Sequence, residues 1–211
     1  VVFAIMLNEV RHRSYAKFVQ SITTFPNFIS WVIVYSLAFS LFSTDGVINT
    51  ILMNLGIIDR ATNVLSDADA VYWFQMCLNI WKSLGWNSIV YLAAISGISQ
   101  ELYEAAAVDG AGRFRQILHI TVPGIAETFV VLLLLSIGNF FSVGFDQYFI
   151  FQNPVTLKNL EVLDLYVYRL GLVNQSYSYS TAIGMVKSVI SLVMIFGANQ
   201  LAKKIRGSAI I

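Results

Sequence analysis

The sequence predicts an all-α, polytopic transmembrane helical bundle, and three observations predict it. Only 12% of the 211 residues are charged, about half the roughly 25% of a soluble domain, while 57% are hydrophobic and the mean hydropathy is +0.69. Four stretches of about twenty residues run nearly free of charge, the length a helix needs to cross roughly 30 Å of hydrocarbon. Lysine and arginine concentrate in alternate connecting segments, the asymmetry that distinguishes cytosolic from outward-facing loops. The net charge of +1, with no Lys or Arg run interleaved with aromatics, excludes nucleic acid as a partner. A single cysteine, Cys77, excludes an intramolecular disulfide and a multi-cysteine metal site. Its apolar neighbours Phe74, Met76 and Leu78 predict a packed thiol.

Taken in order, residues 1–7 form an apolar stub too short for a span or a signal peptide and read as the end of a helix begun upstream. The first span is expected at about 22–42. Pro26 lies near its start, where a missing amide donor is tolerated, and the turn-like Ser43-Thr44-Asp45-Gly46 ends it. The others are expected at about 73–96, 125–144 and 179–201, with Lys82, Glu127 and Lys187 as the intruding charges. Together they make one transmembrane domain over residues 1–211.

Arg11, Arg13 and Lys17 precede the first span, Arg113 and Arg115 separate the second from the third, and Lys203, Lys204 and Arg206 lie beyond the fourth. These segments are expected in the cytosol. The alternate segments, 43–72 and 145–178, carry Arg60, Lys158 and Arg169 against Asp45, Asp59, Asp67, Asp69, Asp146, Glu161 and Asp164, and are expected outside. Four crossings then return the C-terminus to the cytosol. Trp73, Trp81, Tyr148, Tyr177 and Tyr179 fall near the outer ends, where amphipathic rings favour the interface.

The cytosolic segment 99–123 reads as a helix-turn-helix elbow. Ser99 can cap a helix with Glu101 in its first turn, and Leu102, Ala105, Ala106 and Asp109 come next at the spacing of one face. Gly110 suits the left-handed position that ends a helix. A second short helix is expected from about Gly112 to Ile120, stopped by Pro123. Such an elbow suits docking, because alanines let another backbone approach closely; the same pattern also describes an amphipathic loop lying on the bilayer.

Glu104-Ala105-Ala106, Asp109-Gly110-Ala111, Ile120 and Pro123 resemble the EAA motif of binding-protein-dependent ABC importer permeases, departing from it at Val122 where the motif carries Leu. Asn8-Glu9-Val10-Arg11, Ile80-Trp81-Lys82, Tyr166-Val167-Tyr168-Arg169 and Lys187-Ser188-Val189-Ile190 look like the polysaccharide branch related to the maltose permeases. The resemblance implies a type I importer permease core with a cytosolic coupling helix, in a bacterial cell membrane. It implies that Glu104, Ala105, Ala106, Asp109 and Gly110 dock a separate ATPase subunit. The implied partners are a second permease subunit, two ATPase subunits, an extracytoplasmic solute-binding protein and a sugar substrate. ATP would be bound by the ATPase subunits, and the permease would need no cofactor. A permease for a non-sugar solute is the alternative.

No phosphate loop is present: Gly184-Met185-Val186-Lys187-Ser188 lacks the second glycine and lies within a span. His12 and His119 have no ligand-spaced partners for a metal. A membrane-embedded enzyme using Asp67 and Asp69 would need a further acid or histidine partner that the pattern does not supply. For the translocation pathway the candidates are Trp86, Tyr91, Asn139 and Lys187, since sugars are held by ring stacking and hydrogen bonds; each can equally be a packing, interface or internally paired group. Lys82 is expected to snorkel at an outer end beside Trp81, and Glu127 to lie at the inner boundary near the elbow.

Overall fold

The computed structural model describes residues 1–142 and 144–206, helical with no strand among them. Val143 and the side chains of Leu201, Lys204, Ile205 and Arg206 lie outside the described residues, so the C-terminal basic cluster is described only at Lys203. In chain order, α1 (Val2–Glu9), α2 (Arg13–Thr24), a 3-10 turn (Phe25–Phe28), α3 (Trp31–Phe42), α4 (Val47–Asn54) and a second 3-10 turn (Val64–Ser66) lead to the long α5 (Ala70–Ser96). Next come α6 (Gln100–Val108), α7 (Arg113–Gln116), a π-turn (Ile117–Thr121), α8 (Val122–Gly124) and α9 (Ala126–Gly138). The chain closes with α10 (Phe145–Phe151), α11 (Leu163–Tyr168), a second π-turn (Arg169–Val173) and α12 (Tyr177–Arg206).

Among the described residues two stretches, Trp31–Asn54 and Tyr177–Gln200, are long and apolar enough to cross a membrane. Arg113–Gly124 with Ala126–Gly138 makes a third if that pair, bent by 55°, counts as one broken span. The expected second span, 73–96, is a single helix of sufficient length, but Gln75, Asn79, Lys82, Asn87 and Ser88 dilute its apolar character. The first expected span does not run unbroken from residue 22. Pro26 sits in the 3-10 turn that ends α2, and α3 starts afresh at Ser30, whose hydroxyl accepts from the Ile33 amide at 3.4 Å. That is ordinary N-capping.

The chain forms two compact units. One comprises residues 28–80 and 139–193. Its core is Val34, Ala38, Leu65, Val71, Phe151 and Leu160. Tyr35 and Trp31 meet the Phe151 ring edge-on, at centroid distances of 5.1 and 6.4 Å, the arrangement that ring quadrupoles favour. Side-chain amides close the connections around this core. Asn49 donates to the Ser43 and Thr62 carbonyls at 2.8 and 2.6 Å and accepts from the Thr62 amide at 3.1 Å. Asn153 donates to the Leu65 carbonyl and Asn159 to the Ala68 carbonyl, both at 2.8 Å. Deeper in, Gln147 donates to the carbonyl and the side-chain oxygen of Gln75, joining α10 to α5.

Segment 145–178, expected as an outward connection, folds back within this unit. Leu160 and Leu165 are buried, and Asp164 pairs with Lys187 while Glu161 pairs with Arg169 at 2.7 Å. Lys187 stands ten residues into α12, about 15 Å along its axis, so the acidic residue that meets it lies alongside the helix rather than beyond its end. Two of the acidic groups that mark the segment as outward-facing are thus ion-paired.

The other unit comprises residues 1–27, 81–138 and the chain from 194 onward. Ala4, Ile95 and Ile125 form its core, with Ile5, Tyr91, Leu92, Ala94 and Ile98 against it. Gly85 admits a close crossing: a Cβ there would lie 2.3 Å from the Thr23 backbone. One turn earlier on α5, the Lys82 ammonium donates to the Pro26 and Asn27 carbonyls at 3.1 and 2.9 Å. Lys82 therefore turns inward and serves the backbone break instead of snorkelling. Cys77 departs from expectation in the opposite sense, being exposed. It is two residues, about 200° of helix, from the buried Gln75, so it faces the other way.

Candidate functional site

The elbow is built locally. Ser99 caps α6, its hydroxyl accepting from the Glu101 amide at 3.3 Å. At the other end the Gly110 amide donates to the Ala107 carbonyl and the Ala111 amide to the Ala106 carbonyl at 2.8 Å, with Gly110 at φ +76°. This is a Schellman ending, in which a left-handed residue lets the chain reverse and satisfy the last carbonyls. A Cβ at Gly110 would meet nothing within 4 Å, so the demand for glycine is one of backbone conformation alone.

Beyond the turn, Gly112 starts α7, and the Gln116 amide group reaches back to the Ala111 carbonyl at 3.0 Å. Pro123 does not stop this arm as expected. The helix widens into the π-turn Ile117–Thr121 and continues through α8, with Pro123 in the first turn of that element. Its missing amide leaves the ladder one bond short just before the arm ends at Gly124.

The five candidate docking residues come together on α6 and its ending, though not on one face. Glu104, Ala105, Asp109 and Gly110 are exposed, while Ala106 is half-buried. The sheltered side of α6 is marked by Tyr103 and Ala106, three residues apart, while Leu102, Ala105 and Asp109 of the face read from the sequence are exposed. Tyr103 crosses the elbow to Thr121, hydroxyl to hydroxyl, at 2.9 Å. Two apolar side chains close to the candidates in sequence are also exposed: Val108 is 88% exposed and Phe114, read from the sequence as part of the apolar side of the second short helix, is 74% exposed. Alternation of apolar and polar residues could not find Val108, since it sits in a run of alanines where every face is apolar.

The pathway candidates divide between the two units. Trp86 is exposed on α5, and Tyr91, five residues further on, is half-buried against the Ala4, Ile95 and Ile125 core. Both belong to one unit, while Asn139, exposed just past α9, and Lys187 belong to the other. Lys187 is committed to Asp164. Glu127 is exposed in the first turn of α9.

Residues 1–207 match the family described as binding-protein-dependent transport system inner membrane component. Among curated relatives, Protein LplB of Bacillus subtilis (strain 168) is 45% identical over 208 residues, covering 97% of this chain and 64% of LplB. The polygalacturonan/rhamnogalacturonan transport system permease protein YteP of the same organism is 42% identical over 208 residues, covering 97% of this chain and 63% of YteP. The chain thus spans slightly less than two thirds of each. A solved bacterial ABC transporter involved in the import of the acidic polysaccharide alginate matches with a TM-score of 0.92 and 39% identity, over 97% of this chain and 71% of that one. A bacterial alginate ABC transporter in complex with an alginate pentasaccharide-bound periplasmic protein matches with a TM-score of 0.93 and 39% identity, over 99% of this chain and 72% of that one.

Proposed function

The chain belongs to the family of binding-protein-dependent transport system inner membrane components, and from that premise we propose that it is the permease subunit of an ABC importer for an oligosaccharide or polysaccharide fragment. The observation that carries the reading is the elbow. A capped helix with exposed Glu104, Ala105 and Asp109 ends in a left-handed glycine and is held beside a bent helical arm. Such a surface combines charge for pairing, small residues for close approach and the exposed apolar groups Val108 and Phe114 for burial in a groove.

In this reading Glu104, Ala105, Ala106, Asp109 and Gly110 dock one of two separate ATPase subunits. ATP is bound and hydrolysed there, and closure of the ATPases drives the elbow of this chain and that of a second permease subunit together. The lysine and arginine asymmetry supports a cytosolic elbow and C-terminus in a multi-pass bacterial cell-membrane protein. Trp86, Tyr91, Asn139 and Lys187 remain the candidates for the pathway, with Lys187 acting through its pair with Asp164. Substrate delivery falls to an extracytoplasmic solute-binding protein, and the substrates named for the relatives support a polysaccharide fragment as the solute.

The test is Gly110→Val in the full-length permease co-expressed with its ATPase subunits. A β-branched residue in the left-handed region costs on the order of 1–2 kcal/mol without any clash, so the elbow is distorted and little else is. We predict about a tenfold loss of ATPase copurification, and undiminished association would sink the docking assignment. The solute is tested separately, by measuring which of pectin-derived, alginate-derived and neutral oligosaccharides the partner binding protein retains.

A further inference from the structure

We infer that Tyr103 is a positioning residue of the elbow, holding α6 at its angle to the membrane-proximal arm through its hydrogen bond to Thr121. The inference rests on the docking reading and deepens it. The turn between the two arms is supported by little packing, since a Cβ at Gly110 or Gly112 would meet nothing within 4 Å. The Schellman bonds and the Gln116 bond to Ala111 order the turn itself but span only a few residues. Tyr103 to Thr121, at 2.9 Å, joins positions 18 residues apart and acts at a distance from the bend, where a strut constrains an angle most effectively.

Thr121 is a firm anchor. It is 1% exposed, its carbonyl accepts from the Ile125 amide at 3.1 Å, and Ile125 packs with Ala4 and Ile95. The π-turn bears on the geometry too. The Val122 amide bonds the Ile117 carbonyl, five residues back. This inserts one residue more than an α-helix would carry and rotates the remainder of the arm by about 100° relative to an unbroken helix. Thr121 is the last residue of that turn, and its hydroxyl meets Tyr103. The strut therefore links the exposed face that docks, through α6, to the small core that Ile125 forms with Ala4 and Ile95.

The experiment is a double-mutant cycle on the full-length permease assembled with its ATPase subunits in proteoliposomes, reading copurification and MgATP hydrolysis. Y103F and T121V each remove one hydroxyl and little volume. Each is expected to retain the ATPase subunits and to lower hydrolysis about fivefold, the shift that one lost hydrogen bond makes in the population of the competent geometry. The Y103F/T121V pair is expected to lower it no further, because each single change already breaks the bond. T121S, which keeps the hydroxyl, is expected to recover most of the loss seen in T121V and carries the same test from the other side of the bond. Unchanged rates, or losses that add, overturn the strut while docking stands. Copurification insensitive to Gly110→Val overturns the docking reading instead.

Discussion

Lys187 is charged in the middle of an apolar helix, and the fold answers it with Asp164 from a segment folded alongside. Both side chains keep some exposure, 16% and 25%. Removing one partner of a fully buried pair costs roughly 3–5 kcal/mol, because a charge is left without compensation; here the expected cost is about 2 kcal/mol. We predict that Asp164→Asn lowers the midpoint of thermal unfolding in detergent, and that combining it with Lys187→Met recovers most of the loss. A double variant as unstable as the single one would show that the pair is not what Asp164 contributes. The lysine was legible as an anomaly, but its partner was not, since several acidic residues of the same segment are equivalent in sequence. Cys77 errs for a related reason: apolar neighbours in sequence imply burial in a soluble helix, whereas a helix surrounded by lipid can leave its apolar faces unpacked.

Among the elements, the most instructive is the break between α2 and α3. A 3-10 turn containing Pro26 frees carbonyls that a continuous helix would occupy, and α2 has no basic residue in its own last turn. The cation is supplied by α5, where Lys82 bonds the Pro26 and Asn27 carbonyls beside the close crossing at Gly85. Where water is scarce, each unsatisfied carbonyl costs about 1–3 kcal/mol. We predict that Lys82→Met destabilises the solubilised protein by about 2 kcal/mol and exposes the 25–30 segment to limited proteolysis, and that Lys82→Arg, which keeps a donor, does so less. Unchanged proteolysis in Lys82→Met would mean that the break is held by other contacts. Both ends of α6 were readable because Ser99 and Gly110 act on their own backbone; the π-turn was not, because its widening has no residue signature beyond a nearby proline.

For the whole molecule the decisive quantity is the apolar surface left outside the folded chain. Along α12, Met185, Val186, Val189, Val193 and Phe196 are all more than half exposed. A stripe of that size on a water-soluble domain marks an interaction surface or an aggregation hazard; on a member of this inner-membrane family it is a surface suited to lipid. The topology yields a prediction that labelling can check. In a Cys77→Ser background, Asp67→Cys is expected to react with a membrane-impermeant maleimide in intact cells, while Asp109→Cys reacts only in inside-out vesicles. The reverse pattern would invert the orientation and move the elbow to the wrong side of the membrane.

The sequence by itself determined the solvent, the helical class, the family and the elbow. Each depends on composition or on residues acting over one or two turns of their own chain. Tertiary structure alone decided which polar groups meet: Lys187 with Asp164, Lys82 with the carbonyls of Pro26 and Asn27, and Tyr103 with Thr121, at separations of 23, 55 to 56 and 18 residues. The physical reason is common to all three. A polar group taken out of water, by the membrane or by burial in the fold, must be satisfied by some neighbour, a demand written in its own chemistry, but which neighbour answers depends on where the chain returns and how each helix is rotated when it does.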